Sequence, residues 1–230
     1  MNIKMTKVIK IAAVLASFVI GLPAQAGLIS YTDEALWNSA VGSVSGTENF
    51  NSFSTDTTFR NATVSANNMQ ITGVPGANGD ATNIVDAQSF VFSGGYAIDG
   101  TSYLLGDLTG SQTLRVDFDS SVSAWGATFS GISNGTLNTV ISAYDSNSNL
   151  LGMLNSSSPN NSTVGFYGFS FDSNEMADYL VFQNITLNND VFGMDNVSFV
   201  TATSVPEPAS MALLGLGLAG IAFSRKKKIV

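Results

Sequence analysis

From Leu114 to Asp119 the chain alternates with a period of two. Leu114, Val116 and Phe118 share one parity, and Arg115, Asp117 and Asp119 share the other. Successive side chains of an extended backbone point to opposite sides, so this stretch predicts a half-buried strand with a wet outer face. Trp125, Ala127 and Phe129 repeat the pattern and predict a separate strand that follows. Val140 to Asp145 and Asn149 to Leu154 flank Asp145-Ser146-Asn147-Ser148, which reads as a hairpin turn. Further strands are expected at Asn68–Gly73, Ser89–Ser93, Ser102–Leu105, Val164–Phe171, Tyr179–Asn184 and Val191–Val200. That makes about ten to twelve short strands at the spacing of a sandwich. Only Thr32 to Val41 reads as a helix, with Thr32 as its cap, Asp33 and Glu34 in its first turn, and Ala35, Leu36 and Ala40 facing inward. Without helices alternating with strands there is no basis for a parallel sheet, and no repeat of solenoid or propeller length is present. The expected fold is all-β: an antiparallel β-sandwich of jelly-roll type, like a carbohydrate-binding module, occupying residues 27–203.

Charge restricts the chemistry further. The 230 residues include no Cys and no His. Residues 11–224 hold two basic side chains, Arg60 and Arg115, against 17 acidic ones. Such a body repels nucleic acid and anionic lipid. Without His, Cys or Lys it also has no Ser-His triad, thiol nucleophile, lysine Schiff base, phosphate-binding loop lysine, or imidazole or thiolate metal site. Carboxylate chemistry, hard cations held by oxygen, or no chemistry remain.

The two ends read as addresses. Lys4, Lys7 and Lys10 precede the apolar run Ile11 to Leu22, then Pro23 and the small-x-small pattern Ala24-Gln25-Ala26. Residues 1–26 are thus expected to be a signal peptide cut by signal peptidase before Gly27. At the other end, Val205-Pro206-Glu207-Pro208 precedes the apolar run Met211 to Phe223 and the basic stop Arg225-Lys226-Lys227-Lys228. The prolines hold the chain extended, so a helix is expected to begin near Ala209. Its 16 residues to Ser224 would span about 24 Å, short of a hydrocarbon core of roughly 30 Å. A short transmembrane helix of this kind would be a marginal, transient inner-membrane anchor.

The order of Pro-Glu-Pro, short apolar helix and terminal basic cluster resembles the PEP-CTERM sorting signal of Gram-negative exopolysaccharide producers, across residues 204–230. The resemblance implies recognition by an exosortase, a membrane-embedded cysteine protease or transpeptidase. It also implies removal of the tail near Val205, Pro206, Glu207 and Pro208, with release to the cell surface or extracellular matrix. The body is similar to other PEP-CTERM ectodomains in three places: Glu34 to Ala40, Glu48-Asn49-Phe50, and Asp195-Asn196-Val197-Ser198-Phe199.

Two carboxylates stand out by parity. Asp195 is expected on the face of Val197 and Phe199, and Glu48 on the face of Phe50. A bare carboxylate at the inner edge of a sandwich needs hydrogen bonds, a cation or a metal. Lectin-like jelly rolls often join their first and last strands around calcium, and a cluster of Glu48, Asp195 and Asn196 resembles that arrangement. Asp117 and Asp119 lie on one face of one strand, which lacks the opposed geometry of a glycosidase pair. The turn Asp172-Ser173-Asn174-Glu175, near Asp178, lacks the glycine and spacing of an EF-hand loop. Phe166, Tyr167, Phe169 and Phe171 are expected in the core, and Trp37, Tyr96 and Tyr103 are the candidates for an exposed sugar platform. The expected protein is non-enzymatic, exported, and associated with extracellular polysaccharide. The alternatives are a calcium-dependent carbohydrate-binding module and, behind it, a carboxylate-only glycoside hydrolase.

Overall fold

A computed structural model describes residues 27–73, 82–88, 94–110, 112–133, 135, 138–157, 163–172 and 175–201. The expected signal peptide, the strand at Ser89–Ser93 and the sorting tail lie outside them. Thirteen strands and one α-helix are present among the described residues, and all strand pairs are antiparallel. In chain order they are β1 (Leu28–Tyr31), α1 (Glu34–Val41), β2 (Gly46–Glu48), β3 (Thr57–Thr58), β4 (Thr63–Ala66), β5 (Met69–Gly73) and β6 (Ile84–Asp86). There follow β7 (Tyr103–Leu108), β8 (Thr113–Ser130), β9 (Thr139–Tyr144), β10 (Leu150–Asn155), β11 (Val164–Phe171), β12 (Ala177–Asn184) and β13 (Asp190–Thr201). The antiparallel sandwich expected from the sequence is what the chain forms.

One strand belongs to both layers. The first half of β8 sits between β5 and β12, completing a layer ordered β4-β5-β8-β12-β9-β10. Its second half sits between β11 and β13 in a layer ordered β1-β11-β8-β13-β7-β6-β3, with β2 beside the end of β13. The two stretches expected as separate strands are therefore one strand of 18 residues. Asp119-Ser120-Ser121 looks like a turn in sequence, and the inward parity changes from Leu114 and Val116 to Trp125, Ala127 and Phe129, which also mimics a break. The change has a local cause. Between Val122 and Ala124 two steps of β8 oppose one step of β13, a bulge that turns the strand over as it passes between layers.

The core between the layers is aromatic. Trp125 meets Phe169 with ring centroids 6.1 Å apart and Phe182 at 5.9 Å, and Phe129 meets Phe192 at 6.0 Å. Tyr167, Phe169 and Phe171 belong to this core, as their alternation predicts. Phe166 turns outward against Trp37 instead.

Helix α1 corrects two expectations. Its cap is Asp33, whose carboxylate accepts the Leu36 N–H at 2.9 Å, and Thr32 lies one residue too early. Ala35, Leu36 and Ala40 face solvent, with Leu36 65% exposed; the inward residue is Trp37. A helix of eight residues rests on the sheet by one seam, and the largest side chain takes it. Trp37 donates its indole N–H to the Phe169 carbonyl at 3.0 Å. Phe166 can lie beneath it because Gly126 carries no side chain; a Cβ there would sit 2.4 Å from the Phe166 ring.

Candidate functional site

On the outer side of the second layer, β2, the last part of β13 and the N-terminal end of α1 enclose a polar cleft of about 320 Å³. Glu34, Thr47, Glu48, Asn49, Thr128, Asn196 and Ser198 line it. Glu48 stands opposite Val197 in the β2–β13 pair, and its carboxylate accepts the Phe50 N–H. Glu48 and Asn196 thus share the cleft, whereas Asp195 is not among its lining residues and is near enough to Glu48 to feel its charge.

The face expected for Asp195 is not. Phe192 and Met194 point into the core, and so do Val197 and Phe199, which have the opposite parity. Between Asp195 and Ser198, three steps of β13 oppose two of β8. Asn196 takes up the extra residue at φ +49°, a left-handed conformation that Asn tolerates better than most side chains. Asp195 precedes the bulge and so points away from the core, on the side of its cross-strand partner Thr128, a wall of the cleft. The Asp-Asn step inside an apolar run was the sequence signal for this bulge.

Asp195 is 0% exposed. One carboxylate oxygen accepts the Asn196 N–H at 2.6 Å, and the other has no hydrogen-bond partner. Burial pushes its pKa up to about 7, the Asn196 N–H opposes the shift, and the nearby charges of Asp99 and Glu48 add to it. Neither arginine relieves it. Arg115 is bound to Asp117, with Nε 2.9 Å from Oδ1 and 2.8 Å from Oδ2 and Nη2 2.5 Å from Oδ1, and Arg60 donates to the Thr58 hydroxyl at 3.1 Å. Among the described residues no three acidic side chains converge on a metal position. The unpartnered oxygen of Asp195 nonetheless fits a cation. Calcium here would draw on Asp195, Glu48, the Asn196 amide and backbone or water oxygens.

The other candidates resolve more simply. Trp37, Tyr96 and Tyr103 are buried, so none is an exposed sugar platform. Asp86 accepts the Tyr103 hydroxyl at 3.3 Å, and burial is the main cause that raises that phenol's pKa above its usual range. Asp117 is held by Arg115, and Asp119 is exposed. Asp172 accepts the Gly27 N–H at 3.2 Å and Asp178 accepts the Ser121 hydroxyl at 2.8 Å, so these two serve separate contacts.

The sequence reading missed other fully buried acids, Asp86, Asp107 and Asp190. Asp190, also 0% exposed, accepts the Ser133 N–H at 2.8 Å and the Thr139 hydroxyl at 2.5 Å. Ser133, Thr139 and Ser156 continue the network, which ties the loop after β8 to the ends of β9, β10 and β13.

The architecture defines a class, an antiparallel β-sandwich, and residues 204–226 place this sandwich ahead of a known address. They match the PEP-CTERM protein-sorting motif. The motif implies an exported protein that is processed by an exosortase and sorted to the surface. No helix among the described residues is long and apolar enough to cross a membrane. Solved structures similar to the chain include CpGH89CBM32-6 of Clostridium perfringens, at 8% identity and a TM-score of 0.35, covering 59% of this chain and 94% of that one. Another is a family 6 carbohydrate-binding module, at 13% identity and a TM-score of 0.29, covering 68% of this chain and 94% of that one. No curated protein sequence matches the chain.

Proposed function

We propose that this protein is a non-enzymatic component of the cell surface or extracellular matrix of a Gram-negative bacterium, associated with exopolysaccharide and biofilm. Signal peptidase would release the N-terminus after Ala24-Gln25-Ala26, and the tail would anchor the chain transiently in the inner membrane until exosortase acts. The observation that carries the reading is the sorting motif at residues 204–226 behind a body with almost no catalytic side chains. The non-enzymatic part is supported by the acids themselves. Asp117 is neutralised by Arg115, and Asp190 is fully buried and engaged by Ser133 and Thr139.

The second reading, a calcium-dependent carbohydrate-binding module, is favoured by the unpartnered oxygen of Asp195 beside Glu48 and Asn196. Calcium would neutralise the buried carboxylate and offer open coordination positions to sugar hydroxyls. The test mixes residues 27–204 with polysaccharide from the producing organism, in calcium and then in EDTA. Saturable binding is the expected result, and its loss in EDTA would establish the calcium-dependent form. Absence of binding in both conditions would overturn the polysaccharide reading, leaving an exported cargo defined by its sorting.

A further inference from the structure

The outer face of the first layer is a wall six strands wide, on the opposite side of the sandwich from the cleft; among the described residues Arg115, Asp117 and Tyr144 are half-buried on it and Tyr179 is buried between its neighbours. The middle of the wall is unusual in an acidic protein, because its charges balance. Arg115 and Asp117 alternate on β8, flanked across the strands by Gln70 and Thr72 on β5 and by Tyr179 and Val181 on β12. Arg115 lies over the Tyr179 ring with Cζ 3.5 Å from the centroid, and Tyr179 stacks on Tyr144 of β9 at 5.0 Å with planes 9° apart. The guanidinium, the two rings and the carboxylate are thus fixed against one another before any ligand arrives. Asp117 takes bonds from Nε and Nη2, and the Tyr179 side chain also bonds the guanidinium, so the remaining N–H groups of its five are held in a fixed orientation at the half-exposed surface. Leu150, opposite Tyr144, extends the row with an exposed apolar side chain.

We propose that this wall binds an uncharged, hydroxyl-rich polysaccharide laid across β8, β12 and β9. Planar donors and acceptors set beside aromatic and apolar surface suit the alternating polar and apolar faces of sugar rings. The charge pattern selects the occupant. The one cation is already compensated, and Asp119 and Asp145 stand at the end of the wall beyond Asp117 and Tyr144, so a polyanion is repelled there. The proposal rests on the polysaccharide reading above and is independent of calcium.

The test uses the full chain in mild detergent, electrophoresed through native gels containing neutral or acidic polysaccharide of the producing cells, separated by anion exchange. The neutral fraction should retard the protein equally in calcium and in EDTA. Arg115→Ala and Tyr144→Ala should each weaken binding about tenfold, the effect of losing one charge-assisted hydrogen bond or one ring contact. Arg115→Lys keeps the charge but loses the planar fork and should also weaken it. Leu36→Ala, on the exposed face of α1, should bind as the wild type does, Asp195→Asn is measured beside it, and unchanged thermal transitions in the wall variants exclude misfolding. Binding that follows Asp195 or EDTA and ignores the wall would overturn this proposal while leaving the polysaccharide reading intact. Retardation by neither fraction would overturn both. A concentration-dependent dimer dissolved by the wall substitutions would assign the face to a second copy of the chain and overturn it as well.

Discussion

Asp190 and Asp195 begin and interrupt the same strand, β13, and both side chains are fully buried, yet they differ in where their donors come from. Asp190 sits where the chain supplies donors: a backbone N–H from Ser133 and a hydroxyl from Thr139, reinforced through Ser156. Asp195 sits behind the cleft wall with one donor, from its own neighbour, and an oxygen that meets nothing. A buried carboxylate that gathers donors from distant segments is a structural clamp, whereas one whose single donor is its own neighbour is held against its own solvation by the rest of the fold. The first belongs to stability. The second is where a fold concedes stability, and such concessions concentrate at functional sites.

The largest expected effect comes from breaking the side that gathers distant donors. Asp190→Ala would leave the Ser133 N–H and the Thr139 hydroxyl buried without an acceptor. Losing two hydrogen bonds to a charged group and exposing a void should destabilise the protein by about 3–5 kcal/mol, read from the midpoint of urea unfolding. A loss below about 1 kcal/mol would mean that Asp190 is no clamp, and the contrast with Asp195 would fail.

Asp195→Asn probes the other side and should act in the reverse direction. The folded-state pKa of Asp195 is about 7, above the ordinary carboxylate value of about 3.9 in the unfolded chain. Between those values the native state binds more protons than the unfolded state, so stability falls as pH rises through this window and levels off above it. Asn keeps the size and carries no proton to lose. The variant should therefore match the wild type near pH 4 and be the more stable protein at pH 8, by about 1–3 kcal/mol, the usual penalty of an unsatisfied buried polar group. Thermal unfolding at both pH values decides it. If calcium occupies the cleft, adding it at pH 8 should stabilise the wild type and leave the variant unchanged.

How far the sequence foretold this contrast depends on what a periodic pattern can carry. The alternation at Leu114–Phe118 and Phe169–Phe171 located strands and their inward faces, because burial on one face is what a period of two encodes. It also singles out Glu48 and Asp195, which lie near enough for the charge of one to act on the other, Glu48 in the cleft and Asp195 buried behind its wall. Parity fails at a bulge, where one added residue reverses every later side chain. This happened twice, near Ser123 in β8 and at Asn196 in β13, and it split one strand into two and put Asp195 on the wrong face. Trp37 was offered as a surface aromatic because a short helix has too few turns to reveal its buried seam. Asp190 was illegible for another reason: its partners lie 57 and 51 residues away, in contacts that no local pattern records.

The smallest effect tests the device that separates the two aspartates. Asn196 adopts φ +49° within β13, and that single left-handed residue lets Asp195 leave the core face while Val197 and Phe199 return to it. Asn196→Gly should be close to neutral, since glycine reaches this conformation freely but loses more entropy on folding. Asn196→Ala should lose about 1 kcal/mol, the lower end of the penalty for a side chain with a Cβ forced into the left-handed region. Both losses are read as shifts in the urea midpoint at pH 3, below the ordinary carboxylate value of about 3.9, where Asp195 is largely protonated in either state and its own penalty is absent. A larger loss for glycine than for alanine would show that the amide, not the backbone angle, holds the bulge. The cleft would then owe its shape to what Asn196 binds rather than to how the strand bends.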